Sequence, residues 1–246
     1  MTERSAVRVV ISQSMLFPWV GMLEQIRLAD VYVYYDDVQF SKGSFVNRVQ
    51  IKAPEGMKWM TVPLPALRLG QRIDEVEVPP CSQWRDQHLS LLRRSLSATP
   101  YLEDVIGLVE RVYAVDYTDI GQLSRASLMA LVDYFDLGMG KRFVDIAGLG
   151  VPGSSSDRVL EVVQAVGGTE YVTGHGARRY LDHERFEESS VQVRYMNYQR
   201  SAYPQKHGEF VPFVSALDLV ANCGRAGARH INSETIDWRD FSNESA

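Results

Sequence analysis

The sequence predicts an α/β protein: a mostly parallel, Rossmann-like sheet flanked by helices, with a β-hairpin and a helical insertion. Three observations predict it. Short β-branched apolar runs alternate with helical periodicities at both ends of the chain. Two strand-like runs flank the turn signal Ala-Pro-Glu-Gly at residues 53–56. Residues 83–137 carry helical spacing without strand signals.

Taken in order, residues 7–12 are a β-branched apolar run that reads as a buried strand. Residues 17–29 have helical spacing, with Met22, Leu23, Ile26 and Leu28 apolar. Residues 31–35 are a second buried strand. Together these make a β-α-β unit, whose crossover implies parallel strands. Residues 47–52 and 58–63 form the hairpin, and residues 73–78 add another strand. In the helical middle, Leu89, Leu91, Leu92 and Leu96 can share a face, as can Leu123, Leu128, Leu131 and Val132. A strand follows at 142–146, and a helix at 157–166 stopped by Gly167-Gly168. Residues 170–173 are a strand, 178–188 a short helix, 191–196 a strand, and 214–223 a helix ended by Gly224. Ligands of such sheets sit at the carboxyl ends of the strands. That places the loops after Ile11, Tyr35 and Val172 around any site.

A length of 246 residues suffices for one domain with a substantial core. The chain reads as one domain over residues 1–246, with 83–137 as a helical subregion. Net charge is −5, with Arg and Lys scattered among acids rather than gathered in a basic stripe, so nucleic acid is not the expected partner. No run of roughly 18 apolar residues exists, so no membrane span is expected. The first five residues lead straight into a strand with no secretory apolar segment. Cys81 and Cys223 fit neither a disulfide framework nor a zinc pattern. The expected compartment is a reducing cytoplasm.

Four polar clusters follow apolar strands or occupy short loops. The first is residues 12–21, Ser-Gln-Ser-Met-Leu-Phe-Pro-Trp-Val-Gly. The second is Asp36-Asp37-Val38-Gln39-Phe40, followed by Asn47-Arg48 and Lys52. The third is residues 173–182, Thr-Gly-His-Gly-Ala-Arg-Arg-Tyr-Leu-Asp. The fourth is Tyr203-Pro204-Gln205, with Ser215, Asp218, Asn222, Cys223 and Gly224 downstream.

In this order the clusters resemble the WbqC-like family. Its members begin with a strand and a Gln-Pro-x-x-x-Pro-Trp-x-Gly type turn, then carry Asp-Asp-Val-Gln and Asn-Arg. Later come Gly-x-Gly with Tyr-Leu-Asp, Tyr-Pro-Gln and a closing Asn-Cys-Gly. The matches run from Gln13 to Gly224. Ser14 departs from the pattern where the family commonly has Pro, which leaves the first turn without that ring's rigidity. The resemblance implies a step in bacterial surface-polysaccharide or related small-molecule biosynthesis. Its substrate would be a small amine such as an amino sugar, and its chemistry an acyl or aminoacyl transfer from a thioester donor. A carrier protein bearing the thioester is the partner this implies, and no cofactor or metal is. The opening strand, turn, helix and strand are also similar to the start of pantothenate synthetases, which bind ATP phosphates with a His-x-Gly-His turn. Residues 17–21 here contain no histidine.

Each candidate has a functional and a structural reading. Asp36 and Asp37 are adjacent, so on a continuing strand they point to opposite faces and do not form a paired-carboxylate site. One of them orients or deprotonates an amine, or both shape the turn. His175 lies between Gly174 and Gly176, where backbone amides and an imidazole can approach a ligand; the alternative is a turn in which only the glycines matter. Cys223 could serve as a nucleophile, but the C-terminal end of a helix disfavours a thiolate. Otherwise it is a small buried thiol. Asp218 and Asn222 share one helix face and bond either the 203–205 loop or a ligand. His88, His183, His207 and His230 have no metal-ligand spacing.

The leading expectation is an amide-forming acyl or aminoacyl transferase. Its catalytic candidates are Asp37, His175, Asp182 and Cys223. Its substrate-binding candidates are Gln13, Asp36, Gln39, Asn47, Arg48, Lys52, Gly174, Gly176, Tyr180, Gln205, Asp218 and Asn222. The competing expectations are a non-catalytic binding or scaffold protein of a biosynthetic complex, and a nucleotide-dependent amide ligase with a degenerate phosphate turn.

Overall fold

A computed structural model describes residues 6–244. The first five residues, read above as lacking a secretory segment, lie outside the described residues. Strand β1 (Arg8–Ser12), helix α1 (Val20–Leu28) and strand β2 (Val31–Tyr34) form the expected parallel unit, with Val9 opposite Val31 and Ser12 opposite Tyr34. Strands β3 (Arg48–Ala53) and β4 (Gly56–Thr61) make a separate antiparallel hairpin. Gly56 closes its turn at φ 102°, a conformation that costs a residue without Cβ little. Helices α2 (Arg85–Ser95), α3 (Leu102–Tyr113) and α4 (Ile120–Tyr134) fill the middle of the chain. Then follow β5 (Arg142–Asp145), α5 (Ser155–Ala165), β6 (Glu170–Thr173), α6 (His183–Glu188) and β7 (Gln192–Asn197). The chain continues with α7 (Ala216–Cys223), β8 (Glu234–Asp237) and α8 (Trp238–Glu244).

The main sheet has the order β5-β2-β1-β6-β7-β8. All pairings are parallel except β7 with β8. From β1 the chain moves to β2 and β5 on one side, then returns to β6 and β7 on the other. The strand order therefore reverses between β1 and β6, the point at which open α/β sheets hold ligands, in the crevice beyond the carboxyl ends of the strands.

Alternation along the strands sends neighbours to opposite faces. Val10, Tyr32 and Val172 pack with Leu23 and Ile26 of α1 in the core shared with the hairpin and α2–α4. Val9, Val31, Val33, Tyr171 and Val193 pack under Val159, Val162 and Val163 of α5 on the other face. Each such fully buried aliphatic side chain contributes about 1.5–3 kcal/mol.

Four expectations are corrected. Residues 73–78 form no strand; Ile73–Glu75 is a single 3-10 turn. The Ile73 and Asp74 amides bond back to the Val38 and Asp36 carbonyls, and the Glu75 carboxylate takes the Arg72 amide. The helix expected from residue 17 starts at Val20, because Phe17 sits at φ 36° and Pro18 disfavours helix before it. The helix expected at 178–188 is a 3-10 turn, His175–Arg179, followed by a separate α6. The final strand and helix, β8 and α8, had no counterpart in the sequence reading.

Candidate functional site

Three loops rise at the carboxyl edge around the crevice: residues 13–19 after β1, 35–40 after β2, and 174–180 after β6. Helices preceding a parallel strand run against it, so the first turns of α4 and α5 reach the same edge.

Asp36 and Asp37 separate to opposite faces of the sheet. Asp36 is fully buried and accepts from the Ser14 amide (2.8 Å), the Ser14 hydroxyl (2.6 Å) and Arg125 Nε (2.6 Å). Arg125 of α4 continues to Asp145 at the end of β5, and its guanidinium lies 4.8 Å from the Tyr34 ring centre. Burial works upward on the Asp145 carboxyl, yet the Arg125 hydrogen bond holds it below the ordinary carboxylate range. Burial pushes the Tyr34 phenol up to about 12. Asp36 is thus a clamp between the turn after β1 and the helical middle, with both oxygens occupied.

Asp37 is different. One oxygen, Oδ2, takes the guanidinium of Arg158 in the first turn of α5, while the buried Oδ1 has no hydrogen-bond partner. Arg158 is itself buried and fixed by the Val151 carbonyl (3.1 Å), the Tyr35 hydroxyl (3.3 Å) and the Tyr35 ring face at 4.9 Å. Tyr180, half exposed, hydrogen-bonds Tyr171, and burial raises its phenol above the ordinary value. A buried carboxyl oxygen without a donor, beside a fixed cation and near Tyr35, is a position that favours an added N–H donor.

Across β1 from Asp37 lies the Gly174-His175-Gly176 loop. The exposed His175 donates from Nε2 to the Met196 carbonyl at 2.6 Å, since a carbonyl can only accept. In the neutral ring this puts the proton on Nε2 and makes Nδ1 the acceptor. The ring rests against Tyr198 (5.2 Å) and Phe241 (4.7 Å). A Cβ on Gly174 would come within 3.3 Å of the Tyr198 hydroxyl, which accepts from Gln25 at 2.6 Å. A Cβ on Gly176 would meet nothing within 4 Å, so packing does not demand glycine there. Gln13, half-buried, follows the central strand β1 between these two loops.

The first turn of α1 is closed. A Cβ on Gly21 would stand 2.2 Å from the Trp19 indole, so this ring lies directly over the helix start. Trp19 also packs on Tyr198 at 5.0 Å and Phe213 at 5.5 Å.

The other sequence candidates lie elsewhere. Lys52 is buried and donates to Gln205 Oε1 (2.9 Å) and to the Gly208 and Glu209 carbonyls. Gln205 donates to Asp218 Oδ1 (2.9 Å), and Asn222 donates to the same oxygen at 3.2 Å. Burial raises the Asp218 carboxyl above its ordinary value. These four residues form one internal network that binds the hairpin and α7 to the 203–211 loop. Asn47 donates to the Val62 carbonyl inside the hairpin, and Arg48 bonds the Gly43 carbonyl and covers Trp59 at 4.1 Å. Asp182 caps α6 by accepting from the Arg185 amide. Burial raises the Cys223 thiol, the direction opposite to an activated nucleophile. Gln39 lines a separate cleft. Among the described residues, no three His, Cys, Asp or Glu side chains gather as metal ligands would, and no helix is long and apolar enough to cross a membrane.

Sequence reasoning missed Arg125, Arg158, Gln25 and Tyr198. A signal for Arg158 was present. It adjoins the apolar stripe Val159, Val162, Val163 in the first turn of a helix that precedes a strand, and so must face the carboxyl edge.

Fold and site together define a Rossmann-like α/β protein with polar loops gathered at its topological switch point. The profile of the WbqC-like protein family matches residues 13–230, and the chain belongs to that family. An uncharacterized protein of Mycobacterium tuberculosis, Rv1507c, is 32% identical over 220 residues, covering 88% of this chain and 94% of the relative. No solved structure matches the chain.

Proposed function

We propose that the crevice joins an acyl or aminoacyl group to the amine of a small molecule, forming an amide. The observation that carries this reading is the buried Asp37 Oδ1 with no donor beside Arg158. A substrate ammonium supplies the missing N–H. The reading also rests on family membership.

In this scheme Asp37 orients the ammonium and takes one proton from it, while His175 Nδ1, on the far loop, accepts a hydrogen bond from a hydroxyl at the acceptor's other end. The freed nitrogen attacks a thioester carbonyl; the C–N bond forms and the C–S bond breaks. The thiolate leaves, and the second nitrogen proton passes to it. The Asp37 and His175 loops stand two strand spacings apart, about 10 Å, which is the reach of a small acceptor. Gln13 and Tyr180 border that gap. An amino sugar is the acceptor favoured, within surface-polysaccharide or related biosynthesis, with a carrier protein presenting the thioester. Trp19 over the start of α1 occupies the place where a phosphate turn would act, so this reading is favoured over nucleotide-dependent ligation.

The test is thiol release from acyl thioesters in the presence of amino sugars, read by mass spectrometry. Turnover is expected for at least one pair, reduced about 10²–10⁴-fold by Asp37→Asn and about tenfold, through a raised KM, by His175→Gln. If both variants turn over like the wild type, the reading fails.

A further inference from the structure

The segment carrying Asp37 runs on into a second feature. Residues 39–42 form one wall of a cleft of about 640 Å³, and residues 64–70 form the other. That volume lies within the range of small-molecule sites. The walls are tied together at the base. The Phe40 amide donates to the Gln71 carbonyl at 2.8 Å, and Gln39 bridges Arg72 in antiparallel fashion. Gln71 Oε1 takes the Arg68 amide at 3.1 Å, which shapes the turn on the far wall.

The lining divides into two chemistries. Phe40, Leu64 and Leu67 give an apolar surface, and Lys42 and Arg68 give two cations. Both cationic side chains are exposed, and neither meets a carboxylate or another acceptor among the described residues. No acidic residue lines the cleft. In a chain of net charge −5 this is a local reversal of sign. Elsewhere several exposed arginines meet a carboxylate: Arg72 meets Asp74, Arg93 meets Glu103 and Glu110, Arg185 meets Asp157, and Arg239 meets Glu187. The cleft between α3 and α4, lined by Arg111, Asp133 and Arg225, mixes both signs.

We infer that this cleft binds a phosphorylated organic molecule. Lys42 and Arg68 hold the phosphate by charge-assisted hydrogen bonds, and the organic body lies along Phe40, Leu64 and Leu67. Nucleotides and phosphopantetheine both have this chemistry. The inference does not depend on Asp37 doing transfer chemistry, although Gln39 is only two residues from Asp37 along the chain.

The experiment is calorimetric titration of the purified chain with ADP, with 4′-phosphopantetheine and with inorganic phosphate. At least one organic phosphate is expected to bind saturably and more tightly than inorganic phosphate. Lys42→Ser combined with Arg68→Ser is expected to weaken that binding tenfold or more, since each charge-assisted bond lost is worth at least about that factor. Arg111→Ser, in the other cleft, is expected to leave it unchanged. Both replaced side chains are exposed and make no bond, so circular dichroism of the double variant should match the wild type. Binding by ADP alone or by phosphopantetheine alone identifies the class of ligand. Absence of saturable binding by both, equal binding of inorganic phosphate, or an unaffected double variant overturns the inference. Retained binding by a chain with no transfer activity would overturn only the transfer reading.

Discussion

Adjacent carboxylates take different roles here because, in the loop after β2, Asp36 turns to Arg125 of α4 and Asp37 to Arg158 of α5. Asp36 meets three donors and is structural; Asp37 meets one cation and keeps an oxygen free. Asp37→Asn is expected to cost about 1–3 kcal/mol of stability through the weakened Arg158 bond, read as a shift in denaturant midpoint. Gly21→Ala should be as costly, about 1–3 kcal/mol by the same measurement, because the new methyl would enter the Trp19 ring at 2.2 Å. That pairing makes the Pro18-Trp19-x-Gly21 pattern legible as a packing rule. The two aspartates diverge as a continuing strand would have required, although β2 ends at Tyr34 and it is the loop that separates them. Their partners were not readable in the sequence, because Arg125 and Arg158 lie 89 and 121 residues away in the chain. Only the position of Arg158 in a helix's first turn hinted at its place.

The 203–211 loop is held by groups that the sequence alone could as well have given to a ligand. Lys52 reaches it from β3, and Asp218 with Asn222 reaches it from α7. Lys52→Ala is expected to lower stability by about 2 kcal/mol or more, because it strips charge-assisted bonds from one side chain oxygen and two backbone carbonyls in a buried place. The measurement is the denaturant midpoint, with proteolysis of the loop as a second readout.

Asp218 gives a pH prediction with a definite sign. Burial raises its folded-state pKa above the ordinary 3.8. The folded state therefore binds the proton more tightly, and the stability this contributes is present below about 3.8 and lost as pH rises through the raised value. Asp218→Asn keeps an acceptor for Gln205 without ionising. Its denaturant midpoint should fall less than that of the wild type as pH rises above about 3.8; an identical pH profile would show that Asp218 does not carry this dependence.

At the level of elements, strands and helices with plain periodicity were readable, including the β-α-β start and the hairpin. Residues 73–78 misled because Val76 and Val78 flank Glu77 with the spacing of a strand, whereas Ile73, out of that phase, is buried in a 3-10 turn. The break at Asp182 was hidden inside a helical pattern, although an Asp three residues before Arg185 has the spacing of an N-cap.

The whole molecule is a sheet covered on both faces, with its one reversal of strand order between β1 and β6. The sequence showed parallel order by its alternation, but not which strands neighbour each other. β8 adds an antiparallel edge that a charged, half-buried segment, Glu234–Asp237, does not announce. The topology brings the Asp37 and His175 loops to either side of one central strand, which is what makes a site from residues 138 apart in sequence (175 − 37). The most direct measurement is thermal unfolding of the wild type and of Asp37→Asn with saturating amino sugars and, in parallel, the parent sugars bearing hydroxyl in place of the amine. A ligand that binds only the native state adds about 2.7 kcal/mol of stability at 100 times its dissociation constant. The account predicts a raised midpoint with an amino sugar, absent with its hydroxyl counterpart and absent in Asp37→Asn. An equal shift in the variant, or no preference for the amine, would contradict it.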